Sequence, residues 1–197
     1  ESGVVALTLA EAVPTGTAVI ELTWTTPFAP GLEGLYRAES AGLRYAFTQF
    51  EATAARKMFP CFDEPAFKTP FDISLTIPSG LKAAANTLLV SETPSKKGKK
   101  TLRFAKTEKL PTYLLALAVG DLDIVEAPAI APNGVRTTPL PFRGVAAKGQ
   151  GARLAYALEH TPEILNALER YTGIPYPYGK LDIVAVPDFD AGAMENA

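Results

Sequence analysis

The sequence is poor in the side chains that build metal and redox sites. Its 197 residues include one cysteine and one histidine. One cysteine makes no internal disulfide and no cysteine-rich zinc site. One histidine excludes a His-Glu-x-x-His motif and any site that needs two imidazoles from this chain. Neither sign of charge is in excess: 19 Lys and Arg stand against 21 Asp and Glu, for a net charge of −2. That balance lacks the basic face of a nucleic-acid-binding protein. No apolar run reaches the length of about 18 residues that a membrane span requires. The opening Glu1-Ser2-Gly3 has neither the basic nor the apolar region of a signal peptide, and it reads as a cut rather than a natural start. No nucleophile elbow, P-loop or dinucleotide fingerprint occurs.

What is present is mostly β patterning. Val4–Leu9 is a short apolar run. Ala18–Thr25 alternates, with Ala18, Ile20, Leu22 and Trp24 on one face and Glu21, Thr23 and Thr25 on the other, the period of a half-buried strand. Further strands are expected at Arg44–Phe50, Phe71–Ile77, Ala84–Val90, Thr101–Lys106, Tyr113–Val119 and Val135–Phe142. Tyr113–Val119 is apolar on both faces and suits a central strand. Pro139 and Pro141 assign the last candidate to an edge or irregular strand. Short strands punctuated by Pro and Gly describe a sandwich-like or curved multi-sheet body. From Ala152 to Tyr171 the spacing turns helical, with Leu154, Leu158, Leu165 and Leu168 near one stripe and Pro162 within it. Gly173 ends the helix, and Lys180–Val186 reads as a strand. The switch of period divides the chain at 146/147, into a β body (1–146) and a short α/β segment (147–197).

Most polar features have ordinary readings. Lys96-Lys97-Gly98-Lys99-Lys100 lies between two strand patterns, as a solvated hairpin tip does. His160 and Glu163 are three apart on the helix, with no second imidazole or nearby thiol to complete a metal site. Cys61 sits among Phe59, Pro60 and Phe62, the setting of a buried, inert thiol.

Two segments say more. In a strand ending near Phe50, Gln49 and Glu51 project from the same face. The alternative is a strand end with a helix-capping acid. In Gly192-Ala193-Met194-Glu195-Asn196 the small side chains leave the backbone bare. Such a stretch can pair with an extended peptide as an edge strand does, and Glu195 can hold a positive group at the peptide's end. A small-residue loop with an exposed acid is the alternative.

These segments, in this order, resemble the aminopeptidase N family of zinc metallopeptidases, the gluzincin aminopeptidases. Gly192–Asn196 spells that family's exopeptidase signature. Gln49-x-Glu51, Ala55-Arg56 and Pro60-Cys61-Phe62-Asp63-Glu64-Pro65 are similar to the signature of its N-terminal domain. Gly173-Ile174-Pro175-Tyr176-Pro177, Lys180-Leu181-Asp182 and Pro187-Asp188-Phe189 are similar to its connector into the catalytic domain.

The resemblance implies a fold, an activity and a set of roles. The fold is mainly β: a saddle-like multi-sheet N-terminal domain, followed by the α/β start of a thermolysin-like catalytic domain. The activity is removal of single residues from peptide N-termini. Glu51 and Glu195 would bind the free α-amine, and Gln49 would line that pocket. Gly192, Ala193 and Met194 would hold the peptide backbone, with Met194 facing the first side-chain pocket. The family's zinc ligands, general base and transition-state tyrosine have no counterpart here. The resemblance thus assigns no catalytic or metal residue to this chain and implies zinc only in a longer parent. The expected partners are a peptide with a free N-terminus and the rest of the catalytic domain. A catalytically silent homologue, its β domain an interaction module, is the competing reading.

Overall fold

The computed structural model describes residues 3–197, and the statements below concern these residues. The chain is mainly β, with several sheets and one long helix. Three sheets form. The first has four strands in the order β1 (Gly34–Ser40), β2 (Leu43–Gln49), β7 (Leu117–Gly120), β4 (Lys82–Ala85), every neighbouring pair antiparallel. The second has the order β3 (Ser74–Pro78), β6 (Lys99–Phe104), β5 (Leu89–Ser95). The third has β8 (Leu122–Ile130) and β9 (Leu140–Ala147) antiparallel, with β10 (Leu181–Ala185) parallel to β9. Helix α1 (Ala155–Thr172) connects β9 to β10, as a parallel pair requires.

Local chemistry accounts for the turns. Ala41 and Gly42, both at positive φ, close the two-residue β1–β2 hairpin. Lys97 and Gly98, also at positive φ, turn the lysine-rich tip between β5 and β6, where solvent takes the charges. At the end of α1, Gly173 takes the left-handed conformation and donates its N–H to the Glu169 carbonyl at 2.8 Å.

The sheets share their cores. Tyr36, Tyr45 and Phe47 of the first sheet pack with Leu122 and Val145 of the third. Ile77, Leu102 and Phe104 of the second pack with Ala85 and Leu117 of the first. Ile130, Leu140 and Phe142 receive Leu158 and Leu165 of α1.

Several expectations are corrected. Val4–Leu9 and Ala18–Thr25 form no strand. They lie exposed, with Val19 at 86% and Ile20 at 69%, because no described strand pairs with them and alternation without a partner edge makes no ladder. Strands β1 and β8 had no counterpart in the sequence reading. Ala84–Val90 is divided between β4 and β5. Tyr113–Val119 is central as expected, between β2 and β4, but shortened to Leu117–Gly120 by a 3-10 turn at Thr112–Leu114.

Strand β9, expected at an edge or irregular, is the middle strand of its sheet and is irregular at its start. Pro139 precedes it, and Pro141 falls where the β8 register shifts, before β10 begins to pair at Phe142. Strand β9 reaches the 146/147 division, and β10 beyond it pairs with β9 in parallel.

Helix α1 runs through Pro162, and its inward stripe ends on Glu169 instead of Leu168, which is exposed. Glu169 (2% exposed) meets Arg136 (4%), with Nε to Oε1 at 3.0 Å. The Tyr176 N–H donates to the same oxygen at 2.8 Å, and Asn133 Nδ2 to Oε2 at 2.6 Å. Burial alone would raise this carboxyl's pKa. The Tyr176 N–H, Arg136 and Asn133 outweigh burial and hold it below the ordinary glutamate value. A carboxyl depressed in the folded state stabilises fully above its unfolded pKa, and that stability drains as pH falls through the folded value. Glu169→Ala is expected to cost about 3–5 kcal/mol in urea denaturation near neutral pH, because it strands a buried guanidinium. The difference from the parent chain should shrink below the ordinary glutamate pKa. An unchanged midpoint, or a gap that widens on acidification, would contradict this account.

Candidate substrate-recognition site

The strand that carries Gln49 and the loop that follows β10 both border the seam between the first sheet and β10, through Thr48 on one and Gly192, Ala193 and Met194 on the other. Strand β2 carries Thr48 and Gln49 to its end, where Phe50 is fully buried. Thr48 Oγ1 accepts from the Leu117 N–H at 2.8 Å and faces the Leu115 carbonyl at 3.5 Å. Gln49 is half-buried, and its Oε1 is buried without a hydrogen-bond partner. Glu51 lies one residue beyond Phe50, in the turn, with an exposed side chain.

The rest of the first motif holds that turn in shape. Asp63, buried at 4% exposure, accepts from the Arg56 N–H at 3.0 Å and from Arg56 Nε at 2.9 Å on one oxygen. Its other oxygen accepts from Thr112 Oγ1 at 2.6 Å. Arg56 Nη2 also donates to the Asp63 carbonyl at 2.9 Å. The Ala55-Arg56 and Pro60–Pro65 blocks are thus two halves of one knot beneath Glu51. Burial alone would raise the Asp63 carboxyl; Thr112 and the Arg56 donors reverse that and hold it below the usual aspartate value. Cys61 lies beside the knot with its thiol pushed up to about 11, by burial first and by Asp63 second. It is a protonated, unreactive thiol at neutral pH.

The second segment follows β10. The Tyr36 hydroxyl donates to the Asp188 carbonyl at 3.2 Å and secures the descending loop. Its own pKa stands at about 12, through burial and then through Asp188 and Asp190. At the head of β10, the buried Lys180 donates to the Ala85 carbonyl of β4 at 2.7 Å and pairs with Asp182. Asp182 is also held bidentately by Arg143, at 2.8 and 3.0 Å, directly across the β9–β10 pair. Burial lowers the Lys180 pKa more than Asp182 raises it.

Between these elements lies a cavity of about 740 Å³. Its walls include Tyr36, Phe47 and Thr48 on one side, and Gly192, Ala193 and Met194 on the other. Asn196 reaches the Leu114 carbonyl at 3.2 Å. Gln49, Glu51 and Glu195 are not among the wall residues. Glu51 and Glu195 are exposed, and among the described residues neither has a hydrogen-bond or ion-pair partner. The structure therefore brings Gly192, Ala193 and Met194 to a cavity and leaves the Glu51 and Glu195 carboxylates without a partner among the described residues. Tyr36 and Asn86 had no part in the sequence reading, and Lys180 entered it only as the head of a strand and of the Lys180-Leu181-Asp182 block, with no side-chain role assigned.

The residues present do not fit a zinc site. No group of three His, Cys, Asp or Glu side chains comes together among the described residues. His160 stacks on Tyr156 with ring centroids 4.0 Å apart. Among the described residues no helix is long and apolar enough to cross a membrane.

Comparison with known proteins gives the class. Residues 1–114 match the Peptidase M1 N-terminal domain, and residues 156–197 match the Peptidase family M1 domain. The chain belongs to peptidase family M1. It is 36% identical over 200 residues to aminopeptidase M1-B of Oryza sativa subsp. japonica, covering 100% of this chain and 22% of that protein. It is 40% identical over 152 residues to the puromycin-sensitive aminopeptidase of Caenorhabditis elegans, covering 77% of this chain and 15% of the relative. To aminopeptidase N of Rattus norvegicus it is 41% identical over 177 residues, covering 85% and 18%. The chain spans about a fifth of the length of these relatives.

The knot makes a testable statement. Asp63→Ala should lower stability by about 1.5–3 kcal/mol, the range for hydrogen bonds to a charged group. The lower end is favoured because Arg56 is partly exposed and rehydrates. Asp63 stabilises above its unfolded pKa and loses that effect as pH falls through its depressed folded value. Chemical denaturation of both chains at neutral and acid pH checks it; an equal gap at both pH values would refute the charge-based account.

Proposed function

We propose that this chain supplies the peptide-N-terminus recognition part of a zinc metalloaminopeptidase that removes single residues from peptides. In this reading Glu51 and Glu195 bind the substrate's α-ammonium, and Gln49 lines the same pocket. Gly192, Ala193 and Met194 pair with the peptide backbone, and Met194 faces the first side chain. The β body (1–146) is the N-terminal domain, and residues 147–197 begin the catalytic domain. The zinc and its ligands belong to the parent protein outside this chain.

One observation carries the proposal: the bare backbone of Gly192–Met194 walls a cavity, and the carboxylate that follows it has no partner among the described residues. The chemistry is consistent. A peptide α-amine has a pKa of about 7.7–8.0, so much of it is cationic at neutral pH. Carboxylates that hold it measure the distance from the chain end to the bond cut, and an internal peptide segment offers them nothing. Membership of family M1 and likeness to proteins named aminopeptidases support the reading.

Glu51→Ala and Glu195→Ala in the parent protein should each lower kcat/KM on free-amine peptides. Losing one partner of a close charge pair costs about 2–5 kcal/mol, roughly 30- to several-thousand-fold. The double variant should lose less than the product of the two, since both act on one charge. Zinc content should be unchanged. Full activity in both variants, or equal losses toward an N-acetylated peptide, would overturn the assignment.

A further inference from the structure

The two proposed recognition segments, at Gln49–Glu51 and Gly192–Glu195, lie far apart in the sequence, yet they must hold one small cation between them. A misplacement of about 1 Å in such a site can cost on the order of a hundredfold in rate. Their spacing therefore needs a physical cause.

We infer that Asn86 is a positioning residue for substrate recognition, joining the Gln49 strand end to the Gly192–Asn196 segment. This rests on the function proposed above. Asn86 follows directly on β4 and is 8% exposed. Its Nδ2 donates to the Leu114 carbonyl at 2.8 Å and also to the Ala197 carbonyl, just past the motif. Its Oδ1 accepts from the Ala116 N–H at 2.9 Å. The Leu114 carbonyl is shared, since Asn196 Nδ2 reaches it at 3.2 Å.

The turn held by Asn86 is in turn tied to β2. Thr48 accepts from the Leu117 N–H at 2.8 Å, and Thr48 immediately precedes Gln49. A continuous run of polar contacts thus leads from Gln49's neighbour, through residues 114–117, to Asn86 and Asn196. Lys180 fastens the adjoining residue, donating to the Ala85 carbonyl at 2.7 Å, so the bracket has a fixed footing.

An amide of this length suits the position. It needs two donors and one acceptor on a short stem, and asparagine offers both amide hydrogens and a carbonyl oxygen. Aspartate keeps the acceptor for Ala116 but removes both donors and faces two carbonyls with an anion. Glutamine keeps the chemistry on a longer arm.

The test compares Asn86→Asp, Asn86→Gln and Glu195→Ala in the parent protein. Leu75→Ala, in the outer three-stranded sheet, serves as a stability control. KM and kcat are measured on a free-amine peptide, and the inhibition constant is measured for leucine amide, a probe that carries the α-ammonium. Asn86→Asp should raise KM and the inhibition constant by about tenfold or more, with kcat changed less. Asn86→Gln should recover part of the loss, and Leu75→Ala should leave both constants within about twofold. Asn86→Asp combined with Glu195→Ala should lose less than the product of the two single losses, because part of what the bracket places is the Glu195 carboxylate.

If Asn86→Asp fails to fold, the Asn86→Gln values and their coupling to Glu195→Ala decide by the same criteria. Unchanged constants in the folded variant, or losses that multiply with those of Glu195→Ala, would overturn the inference and leave the proposed function standing. An active Glu195→Ala would instead overturn the proposed function.

Discussion

The arrangement depends on one ammonium group removed from water. Lys180 sits at the head of β10, against the first sheet, where its charge has lost most of its hydration. Such a charge is tolerated only where fixed groups replace the solvent. Asp182 does so from the next inward position of the same strand, and the Ala85 carbonyl does so from across the seam. Asp182 needs compensation in its turn, which Arg143 provides with a two-pronged grip from β9. A hydrophobic contact would have tolerated sliding. This chain of obligations does not, because each group satisfies the next in one geometry. The α/β unit is thereby seated on the β body in a defined position, and everything downstream of β10 inherits it.

The same logic operates on a smaller scale below Glu51. The chain leaves β2, turns through the 3-10 segment Ala55–Lys57 and returns to Asp63. A buried aspartate that takes donors from both backbone and guanidinium closes the excursion. The Pro60–Pro65 block thus carries the aspartate that closes the turn, with Thr112 tying it to the body.

These arrangements were unevenly legible in the sequence. Local periodicity identified β2, β3, β6, β10, α1 and the centrality of the segment ending at Val119, since hydrophobic alternation and helical spacing are themselves local. It failed where the deciding partner lies elsewhere. The alternation of Ala18–Thr25 is as regular as that of any strand, but pairing is a property of two segments. Pro141 marked an edge only so long as its neighbours' register was unknown. Tyr36 and Ala38 alternate with Arg37 and Glu39, yet an alanine is too weak a signal to draw attention to β1. Leu168 belonged to the expected stripe, and Glu169 displaced it because Arg136 waits across the helix. For the site, the Gln49, Glu51 and Gly192–Asn196 segments stand out by composition and order. Asn86 and Lys180 do not, because a positioning side chain is defined by what it reaches.

Strand β10 has one further consequence. It is the outer strand of its sheet, paired on one side with β9, and its residues Leu181, Asp182, Ile183, Val184 and Ala185 include no proline. The one charge among them is turned inward to Arg143 and Lys180, so it does nothing to repel an incoming chain. An edge of this kind templates further strands. Along the described β10 edge, neither a proline nor an outward-facing charge interrupts the row of backbone groups turned away from β9.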